Sequence, residues 1–232
     1  MKILALDTST EACTAALLND DHRINSPYVE FERGHAEHIL PMIDALLASA
    51  KLRLADLDAI AFGRGPGGFT GVRLAASITQ GLAFGSGRPV LPVSDLRAVA
   101  QQVLDADPTA ATVVVCNDAR MQEVYWGIFV RGASGLAEVR GDERVSKPPE
   151  VTIPPDVPMP IHGAGRGFRA YPDLTERLAP SLAAVHPALL PRASEILRIA
   201  ARDFEEGCAI PAEQALPVYV RDDVARPPAS RA

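Results

Sequence analysis

Three places in the chain hold residues at spacings that suggest chemistry. From Gly63 the sequence reads Gly63-x-x-x-x-Gly68-Phe69-Thr70, the spacing of a phosphate-binding P-loop with Phe69 where that loop has its lysine. In a working loop the glycines aim backbone N–H groups at phosphate, the lysine neutralises the phosphate oxygens, and the Ser/Thr holds magnesium. Gly63, Gly65, Gly67 and Gly68 retain the makings of an anion nest, and Thr70 is placed to cap a following helix, but a phenyl ring carries no charge. Two readings stay open: a strand-to-helix turn whose glycines permit positive φ and close packing, or a nucleotide loop that has faded. Asp7, followed by Thr8, Ser9 and Thr10, could orient a magnesium-bound water or a phosphate. The same residues suit a hairpin turn, because Asp and Ser hydrogen-bond their own backbone. His35 and His38 stand three apart, whereas metal-binding pairs on helices are usually four apart, so they read as a solvated first turn. His22, His162 and His186 stand alone among loop-like residues, and Cys13, Cys116 and Cys208 are scattered. No catalytic residue, metal ligand set or cofactor is expected from these patterns.

The composition narrows the class. The chain has 232 residues, 47% hydrophobic and 22% charged, with a formal net charge of −6. That is ordinary for a globular protein, and no apolar run approaches the roughly 20 residues of a membrane span. The opening "MKILALDTST" is too short in apolar residues for a signal peptide, so a first strand and a cytoplasmic location are expected. An acidic chain does not hold nucleic acid unaided, since such binding rests on many phosphate contacts from a basic face. Any RNA is therefore expected to be carried by something else.

The elements that must position these residues follow from periodicity. Residues 2–20 read as a hairpin around the Asp7–Glu11 turn, with a third strand over Ile24–Phe31, a helix over His35–Lys51 and a strand over Leu57–Phe62. After the glycine loop come a helix from Thr70 to Phe84, a strand near Pro89–Ser94 and a helix from Asp95 to Leu104. The second half repeats the plan: residues 112–130 form a hairpin, and "PIHGAGRGF" (160–168) echoes "AIAFGRGPGGF". Laying Asp7 over Asp118 lays Cys13, Ala15 and Leu17 over Val124, Trp126 and Ile128. The proline-dense stretch 142–160 reads as irregular, Arg192–Gly207 as a last helix, and the proline and alanine tail that ends the segment from Ala215 as frayed. The apolar arc of the His35 helix spans roughly 160°, wider than a core-facing stripe. The Thr70 helix carries Gly71, Ala75, Ala76 and Gly81, small residues that let another helix approach. Burial within the lobe and packing against a partner chain both fit.

With these segments in this order, "ILALDTSTEACTAAL", "RGHAEHILPMIDALL", "LDAIAFGRGPGGFTGVRLAASITQGLAFG", "NDARMQEVYWGIFV" and "ALPVYVRDD", the chain resembles the bacterial TsaB (YeaZ) family. The resemblance covers most of the chain and is densest from Leu57 to Gly85. It implies an α/β fold of two tandem RNase H-like lobes of the actin-like, sugar kinase and Hsp70 ATPase (ASKHA) superfamily, divided as residues 1–105 and 106–232, with the C-terminal segment returning to the first lobe. It implies a non-catalytic subunit that binds the catalytic TsaD, joined by the ATPase TsaE, for threonylcarbamoylation of the adenosine beside the anticodon. Homodimerisation is expected when TsaD is absent, and contact with tRNA only through the complex. The family's partner surface carries over onto Leu40, Ile43, Leu47, Val72, Ala75, Ala76 and Thr79, and a degenerate nucleotide cleft onto Asp7, Thr8, Gly65, Gly67, Gly68 and Thr70. TsaD's histidine-rich metal motif matches "VSDLRAVAQQ", Val93–Gln102, which has no histidine. The rivals are an ATP-dependent kinase or carbamoyl-transfer enzyme of the same fold, and a metallopeptidase.

Overall fold

The computed structural model describes residues 1–20, 24–31 and 33–221. Its first hairpin pairs β1 (Ile3–Asp7) with β2 (Ala12–Leu18), and every residue of both strands is buried. Strands covered on both faces need apolar residues at every position, which is why "ILAL" and "ACTAALL" do not alternate. The expected third strand is two short ones, β3 (Ile24–Asn25) and β4 (Tyr28–Glu30), both paired with β2. Pro27 lies between them and offers only its carbonyl, which accepts from the Thr14 hydroxyl at 3.1 Å. Then come α1 (His35–Ala50), β5 (Ala59–Gly63), α2 (Phe69–Ser86) and β6 (Val90–Val93). The sheet order is β3-β2-β1-β5-β6, with β1, β5 and β6 parallel.

After α3 (Asp95–Ala106) the plan recurs with β7 (Thr112–Asp118), β8 (Val124–Arg131), β9 (Ala137–Val139) and β10 (Arg144–Ser146). Then follow β11 (Ile161–Ala164), α4 (Gly167–Ala170), α5 (Pro172–Leu178), β12 (Ala184–His186) and α6 (Ala193–Glu205). The second sheet runs β10-β8-β7-β11-β12, so each sheet is an antiparallel hairpin extended by parallel strands. The proline-dense stretch is not wholly irregular, because β10 pairs with β8 inside it.

The helices divide by face. α1 and α2 cover the outer face of the first sheet, where Leu4, Leu6, Cys13, Ala15, Leu17, Ile60 and Phe62 meet Ile39, Ile43, Leu46, Ala75 and Ala76. The inner face, with Ile3, Ala5, Ala61, Leu91 and Val93, packs on Ile196, Leu197, Ile199 and Ala200 of α6. Helix α3, which follows the first sheet in the chain, packs instead on Val113, Val115 and Phe129 of the second. Each inner helix thus completes the core of the other half, and the two touch between the sheets.

The duplication has a register that the sequence overlay half captures. Leu6 pairs with Ala15, and Cys116 with Trp126; Leu4 pairs with Leu17, and Val114 with Ile128. Cys13, Ala15 and Leu17 therefore do correspond to Val124, Trp126 and Ile128. Asp7, however, corresponds to Asn117 and not to Asp118. Six residues separate the partners Asp7 and Thr14, and seven separate Asn117 and Tyr125. An extra turn residue in the second hairpin displaces the acidic residue by one place, and a shift of one position reverses the face of a strand side chain.

Candidate functional site

The glycine loop leans on the β1–β2 turn. Gly68 N–H donates to Ser9 O at 2.6 Å, so this amide is spent on the protein itself. A Cβ on Gly67 would lie 2.5 Å from Ser9 O, and one on Gly71 only 2.1 Å from Thr8 O. The buried Thr8 hydroxyl donates to Gly71 O at 2.7 Å. Gly65 has φ +102°, in the left-handed region where glycine is favoured. The glycines thus allow two backbones to meet, which favours the turn over the phosphate loop among the two readings of the sequence. Helix α2 begins at Phe69 with Gly68 as its N-cap and no side-chain cap, so Thr70 is an exposed residue inside the first turn and not a cap. The six residues expected to form a nucleotide cleft do not line one cavity: Asp7 and Thr8 are buried beneath the loop, whereas Gly67 and Gly68 border the cleft between the lobes.

Beneath Gly63 lie two carboxyl groups. Asp7 is fully buried and accepts from Ser9 N–H at 3.0 Å and Ser9 Oγ at 3.1 Å. Asp95, also fully buried, opens α3, and neither of its carboxyl oxygens has a hydrogen-bond partner. A Cβ on Gly63 would lie 2.2 Å from Asp95 Oδ1 and 2.4 Å from Asp7 Oδ1, so both carboxyls converge on the space that glycine leaves. Burial pushes Asp7 up to about 6, its hydrogen bonds from Ser9 working in the opposite direction. Burial and then the charge of Asp7 hold Asp95 well above the usual carboxylate range. Beside them Ser94 caps α3 by accepting from Arg97 N–H at 3.1 Å and donates to Glu143, which pairs with Arg64 at 3.5 Å.

The two outer helices show which side faces water. Of the seven residues assigned to the partner surface, Ile43, Leu47, Val72, Ala75, Ala76 and Thr79 are buried against the sheet; Leu40 alone is outward, 47% exposed. This burial has a simple cause: both faces of these helices are rich in small or apolar residues, and the sheet takes the larger aliphatic ones. The outward face of α1 is Leu40, Pro41, Asp44, Ala45 and Ala48, and that of α2 is Arg73, Ser77, Gly81 and Phe84. Phe84 is 83% exposed, and a Cβ on Gly81 or Gly85 would meet nothing within 4 Å.

The histidines are less isolated than their sequence positions suggest. His162 lies on β11 and His186 on β12, with His162 Nδ1 3.2 Å from His186 Nε2 and His162 Nε2 3.6 Å from Asp107. His38 stacks on Phe31 with ring centroids 4.3 Å apart, and His35 meets the same ring edge-on. His22 lies outside the described residues. Among the described residues no group of three or more His, Cys, Asp or Glu side chains is arranged to hold a metal ion.

Comparison with known proteins decides the family. The family model described as "TsaD: tRNA N6-adenosine threonylcarbamoyltransferase" matches residues 29–226. The "tRNA threonylcarbamoyladenosine biosynthesis protein TsaB" of Escherichia coli is 40% identical over 97% of this chain and 96% of its own. The chain belongs to the TsaB family. The TsaB fold is matched by the crystal structure of a Pseudomonas aeruginosa protein described as similar to "peptidase YEAZ", at TM-score 0.88 and 45% identity, covering 95% of this chain and 99% of that one. Component A of the (R)-2-hydroxyglutaryl-CoA dehydratase of Acidaminococcus fermentans shares the fold alone, at TM-score 0.51 and 12% identity over 90% of this chain and 99% of that one. Two α/β sheets of the same plan, each an antiparallel hairpin extended by parallel strands, are thus the architecture of this TsaB-family chain. Within it, Asp95 and Gly71 are the site residues that sequence reasoning missed. The signal was present in Ser94-Asp95, a capping serine followed by an acid at a strand-to-helix turn, but its meaning depends on Asp7 across the sheet.

Proposed function

We propose that the chain is a non-catalytic subunit in tRNA threonylcarbamoyladenosine biosynthesis, and that it binds a TsaD-like catalytic subunit through the outward face of α1 and α2. A TsaE-like ATPase joins that assembly, tRNA is reached only through it, and two copies of the chain pair through the same face when TsaD is absent. The observation that carries this reading is the outward face itself. An almost fully exposed Phe84 beside Gly81 and Gly85, with Leu40 on the neighbouring helix, gives a ring and a shallow floor for a partner's helices. The non-catalytic part is supported by the glycine loop, whose Gly68 amide is committed to Ser9.

The experiment is light scattering on a sizing column, with the chain alone and mixed with TsaD from the same source. A homodimer that converts to a one-to-one heterodimer is expected. Two species eluting unchanged from the mixture would overturn the reading, and ATP turnover by the isolated chain would favour the kinase alternative.

A further inference from the structure

The segment Leu216–Arg221 forms neither strand nor helix, yet it touches both lobes. On the first, Val218 N–H donates to Arg64 O at 2.7 Å, and Val218 O comes so near the left-handed Gly65 that a Cβ there would lie 2.9 Å from it. Arg73 Nε donates to the Tyr219 hydroxyl at 2.6 Å, while the Arg73 guanidinium lies 3.5 Å above the Phe69 ring. On the second lobe, Arg221 donates to Ala119 O at 3.1 Å and to Glu123, and Met121 Sδ lies 3.5 Å from its guanidinium. The turn it grips is unusual. Arg120, Met121 and Gln122 have φ of 60°, 53° and 61°, three successive non-glycine residues in the left-handed region. Such a run is disfavoured by contact between Cβ and the backbone, and persists only where the surroundings hold it. Between loop, turn and segment lies a cavity of about 220 Å³, bordered by Phe69, Val72, Met121, Tyr125 and Tyr219.

We propose that Val218–Arg221 is a clasp that holds the mouth of the cleft closed, with Val218 and Tyr219 anchored on the glycine loop and α2, and Arg221 anchored on the left-handed turn. Among the described residues, the ion pairs of Arg120 with Glu11 and of Arg166 with Glu11 and Glu30 also cross this mouth; the first is exposed and weak, and the Arg166 pairs are half-buried. A segment with no ladder hydrogen bonds belongs to the least stable parts of a fold, so the clasp opens without unfolding either sheet. When it opens, the turn loses the hydrogen bonds from Arg221 and keeps only its internal ones, such as Ala119 N–H to Glu123 O, and the apolar cavity joins the solvent. This inference concerns the chain by itself and does not depend on the partner reading above.

The test is amide hydrogen exchange by mass spectrometry on the full chain and on Arg221→Ala and Tyr219→Ala. A clasp couples its two ends: each variant is expected to speed exchange at least tenfold in both the glycine loop (63–72) and the turn (118–124), including the end that the substituted side chain does not touch. Exchange that quickens only at the altered anchor, or at neither, would overturn the proposal. Should a variant loosen α6 as well, spin labels at exposed positions 70 and 169 in a Cys208→Ser background decide the matter. A longer or broader distance distribution in Arg221→Ala supports the clasp, and an unchanged one rejects it.

Discussion

At the scale of single residues the chain places two carboxyl groups where water cannot reach them. Asp7 ionises near 3.8 when solvated and near 6 in the fold, so its proton is held more tightly in the folded state. A raised folded pKa gives stability that is fully present below about pH 4 and is lost as pH rises through 6. For Asp7 the loss is on the order of 2–3 kcal/mol between those limits. Asp95→Asn removes the buried ionisable group and leaves the shape, so the variant should be more stable than the parent at pH 7.5, with the gap closing toward pH 4. Urea unfolding at both pH values measures this, and a gap independent of pH would count against the paired-carboxyl account. Gly71→Ala, by contrast, places a methyl group 2.1 Å from Thr8 O in a backbone contact that has no side chain to swing aside. A loss of about 2 kcal/mol or more in the same assay is expected.

At the scale of elements, α2 sorts its glycines by duty. Gly71 is indispensable to packing, while Gly81 sits in a helix with open space beyond it. Gly81→Ala should therefore raise the stability of the isolated monomer by about 1 kcal/mol through helix propensity. Phe84→Ala should leave that stability within roughly 0.5 kcal/mol, yet weaken association with TsaD at least tenfold, read by titration calorimetry; equal affinity would remove Phe84 from the interface. Much of the element order was legible in the sequence: both hairpins, and helices α1, α2, α3 and α6 to within about two residues, because long periodic runs with sharp turn signals leave few alternatives. What was not legible has physical causes. The side of α1 and α2 that meets the sheet could not be read where apolar and small residues surround both helices. The counterpart of Asp7 could not be read because one extra turn residue shifts a strand's faces without altering its hydrophobic pattern. The return of the C-terminal segment to the first lobe was expected only from the family resemblance, because the tyrosine and arginine that pin it as far as Arg221 have partners 146 and 98 to 102 residues away; the proline and alanine tail expected to fray lies outside the described residues.

At the scale of the whole molecule, the exchanged inner helices bind the halves into one structure. A chain of residues 1–106 keeps α3 but lacks α6, leaving Ile3, Ala5, Ala61 and Leu91 bare on the inner face. Burial of such side chains is worth roughly 1.5–3 kcal/mol each for the larger ones, more than a marginally stable lobe can forgo. Residues 1–106 alone should therefore give no cooperative thermal transition by circular dichroism, while adding residues 107–221 restores one. A sharp transition in the shorter chain would argue that the halves are independent.

The position of α6 also sets an order of events in time. The first sheet is made from residues 3–93, but the helix that seals its inner face spans Ala193–Glu205 and leaves the ribosome about a hundred residues later. At the usual 5–20 residues per second, the nascent chain spends roughly 5–20 seconds with that sheet open on one side. Ala5, Ala16, Ala59 and Ala61 lie on the open face. These alanines alternate with Ile3, Leu18, Leu91 and Val93 on the same face, so the small side chains that let α6 sit close also reduce the apolar area that passing chains can grip during the wait.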